Sequence, residues 1–515
     1  MSVVQFGVGL AVVVFIWIQL SKPKNSSLPP GPNPLPVVGN VANLTAHQLW
    51  LRATQWAKEY GNVVYLHVFG QGLVFLNSYE AAVDLLEKQG SVYSDKPGLV
   101  MCGELCGCEN MVAFTRYGDK SRRQRRLMQQ ALGVSAVRTY QPLLEIETAA
   151  LLKRLLADPQ DYVGNVRRYA GGLTLLVMYG YRANSKDDQF LMLADTCVDL
   201  LSNHIASGGG IWLVDIFPFL KHLPLWFPGA GFKRKAIEWK AKMEEFVNRP
   251  YELLKQRMRE GTAVPCFCST LLEELQDRND KAIDAQKDFD IRWTANSMYS
   301  ASIDTTITMV MHFIRAMVLH PEVLVKVQQE MDTVVGQGRL PTFSDRASLP
   351  YLECVMSECL RWGAPVPLGL PHRLTEDDVY QGMHIPKGSL VFANIWNMMR
   401  NEELYPDAQA FKPERFMEET DEQTAKRRDP RNFVFGFGRR RCPGMHLMES
   451  SFWIVMASMI ATMDLAKAVD EHGNVVEPET SFDNAVFRIP TTFKCDIRPR
   501  SEQALRIVRQ AADAA

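Results

Sequence analysis

The sequence predicts a mainly α fold with small β-sheets, arranged as one large domain after an N-terminal transmembrane helix. Apolar residues at helical spacing dominate residues 79–360, strand-like pairs stand only at the edges, and no convincing linker divides the body. The 515 residues are 47% hydrophobic, which supports a large core and argues against disorder. A formal net charge of −1 argues against a nucleic-acid-binding protein.

The N-terminal segment, residues 1–21, is predicted to anchor the protein in a membrane. Its apolar run approaches the roughly 20 residues that a spanning helix needs. Lys22 and Lys24 follow the run and no basic residue precedes it, which favours a cytosolic body. The alternative is a cleaved signal peptide, but that would need a basic start, a shorter apolar core and a clear cleavage site.

A proline-rich hinge is predicted over residues 22–40, because prolines at this density prevent a regular helix and give a semi-rigid spacer. The folded domain is expected over residues 41–500, with a short tail over residues 501–515. No internal repeat or low-complexity tract interrupts this plan.

Strand signals occur in three places. Residues 63–68 and 72–77 flank glycines and predict a hairpin. Residues 380–392 predict a second small sheet with a turn at residues 385–388, and residues 482–497 predict another hairpin.

One long helix is predicted over residues 291–320, with Pro321 opening the next. Within it, residues 301–306 form a polar run that contains Asp304 and Thr305. Polar groups in an apolar helix are costly unless they are used or bond to the preceding turn, so both interpretations stay open at this point.

Cys442 is the most informative residue. It lies in residues 435–444, where glycines allow a tight loop and close approach of a flat cofactor. The helix that follows supplies N–H groups and a positive dipole end, which favour an ionised thiol. Nearby arginines can pair with carboxylates. The alternative is a buried free cysteine, as most cysteines are.

A possible buried ion pair stands earlier in the chain. Glu358 and Arg361 are three residues apart, which places them on one face of a helix with many apolar neighbours. A buried pair needs further hydrogen bonds, and Arg415 in residues 413–416 is a candidate to supply them. We expect these three residues to be structural.

The loop around Cys442 resembles the haem-binding loop of the cytochrome P-450 family, whose pattern is Phe-x-x-Gly-x-Arg-x-Cys-x-Gly. The matching residues are Phe435, Gly438, Arg440, Cys442 and Gly444. The resemblance covers about residues 28–500 and is to the fungal membrane-bound type. It implies the cytochrome P-450 fold, a haem-thiolate catalytic domain, haem b (iron protoporphyrin IX) as cofactor, and Cys442 as the metal ligand.

The same resemblance assigns roles to other residues. Glu358, Arg361 and Arg415 match the family's bracing network. Asp304 and Thr305 match its acid–alcohol pair, which organises water and delivers protons during oxygen activation.

Further positions match the family's haem contacts, with two departures. Arg125 matches the arginine of a Trp-x-x-x-Arg helix, but Ser121 replaces the tryptophan, so one propionate contact is missing or is supplied elsewhere. His372 matches a position that reaches a propionate. Ser302 replaces a glycine and is expected to narrow the distal groove.

The implied reaction is monooxygenation of an apolar small molecule, with electrons from NADPH through a separate membrane-bound reductase. An isomerase or dehydratase of the same fold and, more distantly, a haem sensor are the alternatives. The implied location is the endoplasmic reticulum membrane, with a cytosolic catalytic domain. Residues 215–224, 371–373 and 378–380 look like fungal members, many of which tailor terpenoids or polyketides.

Two surfaces follow from the resemblance. The expected pocket walls are residues 100–114, 296–303, 366–370 and 484–487, mostly apolar. A basic surface near the thiolate is either a solvated face or a docking patch for an acidic reductase. It consists of Arg122, Arg123, Arg126, Arg439 and Arg441.

Overall fold

The computed structural model describes residues 27–45, 48–206, 212–277, 284–482 and 486–513. The predicted transmembrane anchor, the first residues of the hinge, and Asn484 and Ala485 of the expected pocket wall lie outside these ranges. The described part of the hinge lies along the first strand: Tyr65 N–H donates to Pro30 O at 3.0 Å, and Asn40 N–H donates to His67 O at 2.7 Å.

Helices form most of the fold, as predicted. The α-helices are α1 Leu49–Tyr60, α2 Tyr79–Ala82, α3 Gly90–Tyr93, α4 Asp119–Leu132, α5 Val134–Thr139, α6 Gln141–Ala157, α7 Tyr162–Tyr179, α8 Gln189–Asp199, α9 Leu213–Ile216, α10 Gly231–Arg259, α11 Phe267–Asp277, α12 Ala285–Leu319, α13 Pro321–Val334, α14 Pro350–Gly363, α15 Ile395–Met398, α16 Glu422–Arg428, α17 Arg431–Val434, α18 Met445–Thr462 and α19 Glu502–Asp513. Short π-helical segments at Val83–Lys88, Val100–Leu105 and Leu200–Ile205 interrupt them.

The long helix α12 runs through the core and confirms the helix predicted over residues 291–320. It starts earlier than predicted, where the Asp284 side chain caps it by accepting from Gln286 N–H at 3.1 Å, and it ends before Pro321. It packs against α4, α7, α14 and α18. Within the described ranges it is also the one helix long and apolar enough to cross a membrane, but 72% of its apolar window is buried inside the protein.

The strands are β1 Val63–Val68, β2 Gln71–Leu76, β3 His372–Arg373, β4 Asp378–Tyr380, β5 Met383–Ile385, β6 Leu390–Ala393, β7 Met463–Lys467 and β8 Cys495–Pro499. The hairpin of β1 and β2 is confirmed, with Val68 paired to Gln71. Its two turn residues, Phe69 and Gly70, both have positive φ, which suits the right-handed twist of the strands.

The second predicted sheet is only partly right. Strands β4 and β5 pair with each other, whereas β6 joins the larger sheet, whose order is β1-β2-β6-β3. The turn at residues 385–388 therefore connects two sheets. Val391 and Ala393 are buried on β6, and this strand runs parallel to β2 and covers its free edge.

The predicted hairpin over residues 482–497 is wrong. Strand β8 pairs with β7, placing Leu465 opposite Ile497. The intervening loop closes through Thr491 N–H, which donates to Ser481 O at 3.0 Å. The tail after residue 500 forms α19.

Helix α19 packs against α6 through one apolar face. Ala504, Ile507 and Val508 are buried there, at a three-to-four-residue spacing that is readable in the sequence. That spacing is the signal by which the helix could have been predicted.

The predicted bracing network is present and buried. Both carboxylate oxygens of Glu358 accept from Arg361 at 2.7 Å, and neither side chain is exposed to solvent. Three backbone carbonyls, those of Met399, Ala408 and Ala410, accept from the remaining N–H groups of Arg361 at 2.7–2.9 Å. All five guanidinium donors are therefore used, as a buried charge requires.

Arg415 completes the network from the other side. Its Nε donates to Glu358 Oε1 at 3.3 Å and its Nη1 donates to Pro406 O at 2.6 Å. Lys412 N–H donates to the same carboxylate oxygen at 2.7 Å. The network thus fastens the irregular chain over residues 399–415 to α14.

Replacing Glu358 with Gln should lower the free energy of unfolding by about 3 to 5 kcal/mol, because two buried arginines would lose their countercharge. Urea unfolding of the variant measures this loss. The control is Lys467→Ala, which breaks an exposed pair with Glu477 and should leave the midpoint unchanged. Equal midpoints for the two variants would contradict a structural role of Glu358.

Candidate active site

The loop that carries Cys442 lies between α17 and α18. Cys442 N–H donates to Phe435 O at 2.7 Å, which closes the loop, and Phe435 itself is buried. Nine of the ten cysteines are buried and Cys442 is the exposed one. Burial of its surroundings nevertheless raises the pKa of the Cys442 thiol. Because the thiol is accessible yet crowded by protein, it lies in a recess rather than on the outer surface.

The groups that favour ionisation are those expected from the sequence. The N–H of Gly444 and the guanidinium groups of Arg125 and Arg441 oppose the effect of burial on the pKa of Cys442, but do not overcome it. A metal cation at the sulfur would favour the thiolate decisively.

Two glycines in the loop, Gly438 and Gly444, each have a different structural reason for lacking a side chain. Gly438 has a φ of +58°, and a Cβ there would collide with the backbone carbonyl of Leu86. At Gly444 a Cβ would stand 3.7 Å from Cys442 Sγ, so a larger side chain would cover the thiol.

Three predicted cofactor-binding residues lie close together at this loop, namely Arg125, Arg440 and His372. Arg125 on α4 donates to Arg441 O at 2.7 Å, and Arg440 donates to Ser94 O and Thr115 O, both at 2.8 Å. Burial, and then the charge of Arg125, lower the pKa of Arg440 to about 10. Burial also lowers the pKa of Arg125, while the Cys442 thiolate opposes this effect.

His372 opens strand β3 and is buried. Its Nδ1 lies 2.7 Å from Tyr93 O, so this nitrogen carries the proton. Burial, followed by the charges of Lys96 and Arg440, holds the pKa of His372 well below its usual value. The family resemblance assigned Arg125, Arg440 and His372 to haem contacts, and the structure brings these three residues close to one another.

Lys96 belongs to this cluster and was missed by the sequence analysis. It is 5% exposed, and its Nζ donates to Leu370 O at 3.0 Å and to Pro371 O at 3.1 Å. Burial, then the charges of Arg440 and Arg125, lower its pKa to about 7. A single lysine between Asp95 and Pro97 carries no motif, so nothing in the sequence marked it.

Ser121 caps α4 instead of contacting the cluster. Its hydroxyl donates to Gly118 O at 3.0 Å and accepts from Gly118 N–H at 3.1 Å. The side chain is fully buried. The serine therefore serves the helix start, where the family pattern has a tryptophan.

The polar side chains of residues 301–306 on α12 lie in two different environments, one buried and one partly exposed. Asp304 is buried, and the charged groups around it are Arg167 on α7 and Asp195 and Asp199 on α8. Burial raises the pKa of Asp304 to about 6; Arg167 opposes this and the two aspartates add to it. Thr305 is half-exposed, and its hydroxyl donates to Ala301 O at 2.9 Å.

The Ser302 hydroxyl bonds to a neighbouring helix, and the expected narrowing of the distal groove stays a prediction. Its Oγ lies 2.7 Å from Thr174 Oγ1 on α7 and donates to Tyr299 O at 3.0 Å. The hydroxyl thus points to α7, where Thr174 offers a hydrogen-bonding partner.

Two of the predicted pocket walls meet through a hydrogen bond. Val112 N–H donates to Ser297 Oγ at 3.0 Å, which joins residues 100–114 to α12. Residues 366–370 are held to the cation cluster through Lys96 and Leu370 O.

The arginines of the predicted basic surface are only partly available to a binding partner. Arg122 pairs with Asp119, and Arg123 pairs with Asp290 at 2.6 Å. Arg441 donates to Arg431 O at 3.0 Å and is half-buried. Arg126 and Arg439 are exposed, so the positive surface is smaller than the sequence suggested.

Comparison with known proteins gives a consistent result. A family model described as cytochrome P-450 matches residues 29–490. The cytochrome P-450 monooxygenase claT of Ampulloclitocybe clavipes is 40% identical over 505 residues, which are 98% of this chain and 98% of the relative. Its claR is 41% identical over 495 residues (95% and 90%), and monooxygenase 176 of Postia placenta is 40% identical over 485 residues (94% and 92%).

The raised pKa of Asp304 predicts a pH-dependent stability. The folded chain binds the Asp304 proton more tightly than the unfolded chain does. The contribution of this proton to the free energy of unfolding is therefore full at low pH and is lost as pH rises towards 6. The Asp304→Asn variant lacks this contribution at every pH. From pH 5 to 7.5 its free energy of unfolding should therefore rise by about 1 kcal/mol relative to that of the native protein. Urea unfolding across this range measures the difference. Exposed Asp187→Asn is the control, and parallel curves for both variants would contradict the assignment.

Proposed function

The chain belongs to the cytochrome P-450 family of oxidoreductases, and we propose that it inserts one oxygen atom from dioxygen into a C–H bond of an apolar small molecule. Electrons come from NADPH through a separate cytochrome P-450 reductase. The observation that carries the proposal is the single accessible thiol, Cys442, beside a cluster of buried cations. The relatives' fungal sources support tailoring of a secondary metabolite, such as a terpenoid or polyketide, as the role.

The residues present fit the haem that the family implies. Cys442 is proposed as the iron ligand, in a loop that Gly438 and Gly444 keep tight and open. Arg125, Arg440 and His372 are proposed to face the propionates. The two arginines are half-buried cations, which need anionic partners, and the neutral ring of His372 lies in the same cluster. When bound, the haem supplies the oxygen chemistry, which a thiolate ligand promotes.

Asp304 and Thr305 are proposed to move protons. The pKa of Asp304 near 6 lets its carboxyl take up and release a proton close to neutral pH. The ion pair of Arg167 and Asp195, 3.0 Å apart, is near this carboxyl and partly exposed, which supports a connection to solvent. The Thr305 hydroxyl can receive the proton on the accessible side of the helix.

This pair also favours oxygenation over the alternatives. An isomerase or dehydratase of the same fold needs no protons from solvent for dioxygen, and a haem sensor needs no turnover at all. A protonatable carboxyl next to a half-exposed hydroxyl in the middle of α12 is therefore best explained by a monooxygenase.

The partly exposed basic surface supports docking of an acidic reductase. Arg126 and Arg439 are exposed near the Cys442 loop, and Arg439 donates to Tyr117 at 3.0 Å, which fixes its position. Attraction between opposite charges would speed the association.

The membrane-bound location is likewise proposed, with the body on the cytosolic side of the endoplasmic reticulum. An apolar patch supports it. Its exposed residues are Phe219, Leu225, Trp226 and Phe227, and Trp226 is 80% exposed. A patch of this kind suits the interface of a bilayer.

Cys442→Ala should abolish the absorption band of the reduced carbon monoxide complex at the thiolate position, because no sulfur would then reach the iron. Cys354→Ala is the control, since that thiol is buried elsewhere. An unchanged band in Cys442→Ala would exclude this residue as the ligand.

Turnover with reductase and NADPH tests the reaction itself. Mass spectrometry of a host fed candidate scaffolds should find products heavier by one oxygen atom. Thr305→Ala should keep haem and substrate binding but divert most electrons to hydrogen peroxide, because proton delivery fails. Substrate conversion without NADPH would instead indicate an isomerase or dehydratase, and full coupling in Thr305→Ala would make that hydroxyl structural.

Deleting residues 1–21 should weaken membrane binding without removing haem, and some attachment should persist through the apolar patch. Trp226→Asp in the shortened protein should release it, measured by vesicle flotation. Val475→Asp, at an exposed valine outside the patch, is the control. Protection of the body from protease in sealed microsomes would contradict the cytosolic topology.

A further inference from the structure

A cleft with three arginines in its walls lies between helices α6 and α7, outside the cluster around Cys442. We propose that this cleft binds a phosphate-type oxyanion, which Arg154 and Arg168 hold, with Arg182 at the rim. The inference does not depend on the haem-binding function proposed above.

The cleft is a gap between two packed helices that small residues keep open. Its walls include Glu147 and Arg154 on α6, Arg168 and Gly172 on α7, and Arg182 and Ala183 after α7. About 250 Å³ of it is empty, part of this open to solvent, and the inner part has room for about one oxygen-sized atom. Apart from its own helix, the nearest atom to a Cβ added at Gly172 would be Ala183 Cβ, 4.0 Å away. The missing side chain of Gly172 therefore leaves this room free.

The charges that line the cleft do not balance. Among the described residues of its walls, the carboxylate is Glu147, and its Oε1 already pairs with Arg182 Nη2 at 3.4 Å. Arg154 and Arg168 have no ion-pair partner of their own within the described ranges. Two guanidinium groups without countercharge in one cleft attract an anion.

Arg154 is the arginine that most needs a partner. Its Nε is shielded from solvent and has no hydrogen-bonding partner within the described part of the chain, although the side chain as a whole is half-buried. Burial, and then the charge of Arg168, lower the pKa of Arg154 to about 10, while Glu147 and Tyr169 oppose this effect. An anion beside Arg154 would supply the missing acceptor and offset the repulsion between the two arginines.

Arg168 is held in place while some of its donors stay available. Its Nη2 donates to Asn184 O at 2.6 Å and to Ala183 O at 3.4 Å. A guanidinium has five N–H donors, so those at Nε and Nη1 remain for a ligand. Because guanidinium groups bind oxyanions through paired N–H donors, phosphate suits this cleft better than a halide ion does.

The competing explanation is that water alone fills the cleft and that its arginines only keep the surface soluble. Phosphate would then act through ionic strength, and every exposed arginine of the protein would contribute to the same extent. The two explanations differ in whether binding is saturable and whether it depends on residues 154 and 172.

The experiment uses full-length holoenzyme, purified without phosphate, of the native protein, Arg154→Met, Gly172→Ala and the control Arg52→Met. Arg154→Met removes a charge, whereas Gly172→Ala keeps every charge and places a methyl group in the room for the oxygen. Arg52 is an exposed arginine on α1 that donates to Gln55 at 2.8 Å and does not line the cleft. Calorimetry at constant ionic strength measures the affinity for inorganic phosphate, and thermal unfolding with and without phosphate measures stability.

The native protein should bind inorganic phosphate at one saturable site, and phosphate should raise its unfolding midpoint. Arg154→Met should bind phosphate about tenfold more weakly, because a charge-assisted hydrogen bond is lost. Its midpoint without phosphate should equal or exceed the native one, because a charge without a partner is removed. Gly172→Ala should also bind phosphate about tenfold more weakly, since the added methyl group occupies the oxygen position, although alanine favours the helix. Arg52→Met should match the native protein in both measurements.

Two sources of the oxyanion are compared in the same calorimeter. Inorganic phosphate represents a free phosphate, and a short-chain phosphatidic acid kept below its micelle concentration represents a lipid headgroup. Tighter binding of the phosphatidic acid, lost in Arg154→Met, would assign the site to a lipid headgroup. Equal or weaker binding would assign it to a free phosphate, and either result supports the oxyanion site.

The lack of saturable phosphate binding to the native protein would overturn the inference and leave the proposed function intact. Equal affinities in the native protein, Arg154→Met and Gly172→Ala would also overturn it, because the phosphate would then bind elsewhere. A native protein that binds phosphate in the cleft but holds no haem would refute the proposed function and support the inference.

Discussion

The buried carboxylate of Glu358 is the constraint on which the Cys442 side of the molecule depends. It forms ion pairs with both Arg361 and Arg415, and the remaining donors of these arginines hold carbonyls of an otherwise irregular segment. Nearby on the same helix, Glu353 pairs with Arg431 at 3.3 Å, and Arg431 O in turn accepts from Arg441, beside the thiol. An ion pair and a hydrogen bond therefore connect Glu353 on α14 to the loop of Cys442, and they help to fix a loop that has few regular backbone hydrogen bonds.

The same physical rule separates structural from functional charges. Burial of an ion is tolerated when protein groups satisfy it completely, as they do at Arg361. Lys96, Arg125 and Arg440 instead donate to backbone carbonyls, which carry no negative charge, and this difference supports the proposed haem site. At Asp304 the compensation is also incomplete, and the result is a carboxyl whose pKa approaches neutrality, which is what proton transfer requires.

Much of the fold and the site was predictable because the signals are local. The β1–β2 hairpin, the long α12, and the Glu358–Arg361 pair follow from residue spacing alone. The partner of β6 and that of β8 did not, because a strand pairs with whichever edge the tertiary fold brings beside it. Helix α19 is different: its apolar spacing was present in the sequence and was overlooked.

The sequence by itself determined the family-type loop at Cys442, the acidic and alcoholic residues of α12, and the identity of most cations near the thiol. Tertiary structure alone decided that Ser302 turns to Thr174 and that Lys96 joins the cation cluster. The reason is that a motif specifies residue types at fixed spacing, whereas burial and charge balance depend on residues far apart in the chain. Lys96 and Arg440 are separated by most of the sequence, and only the packed fold gives them a common electrostatic environment.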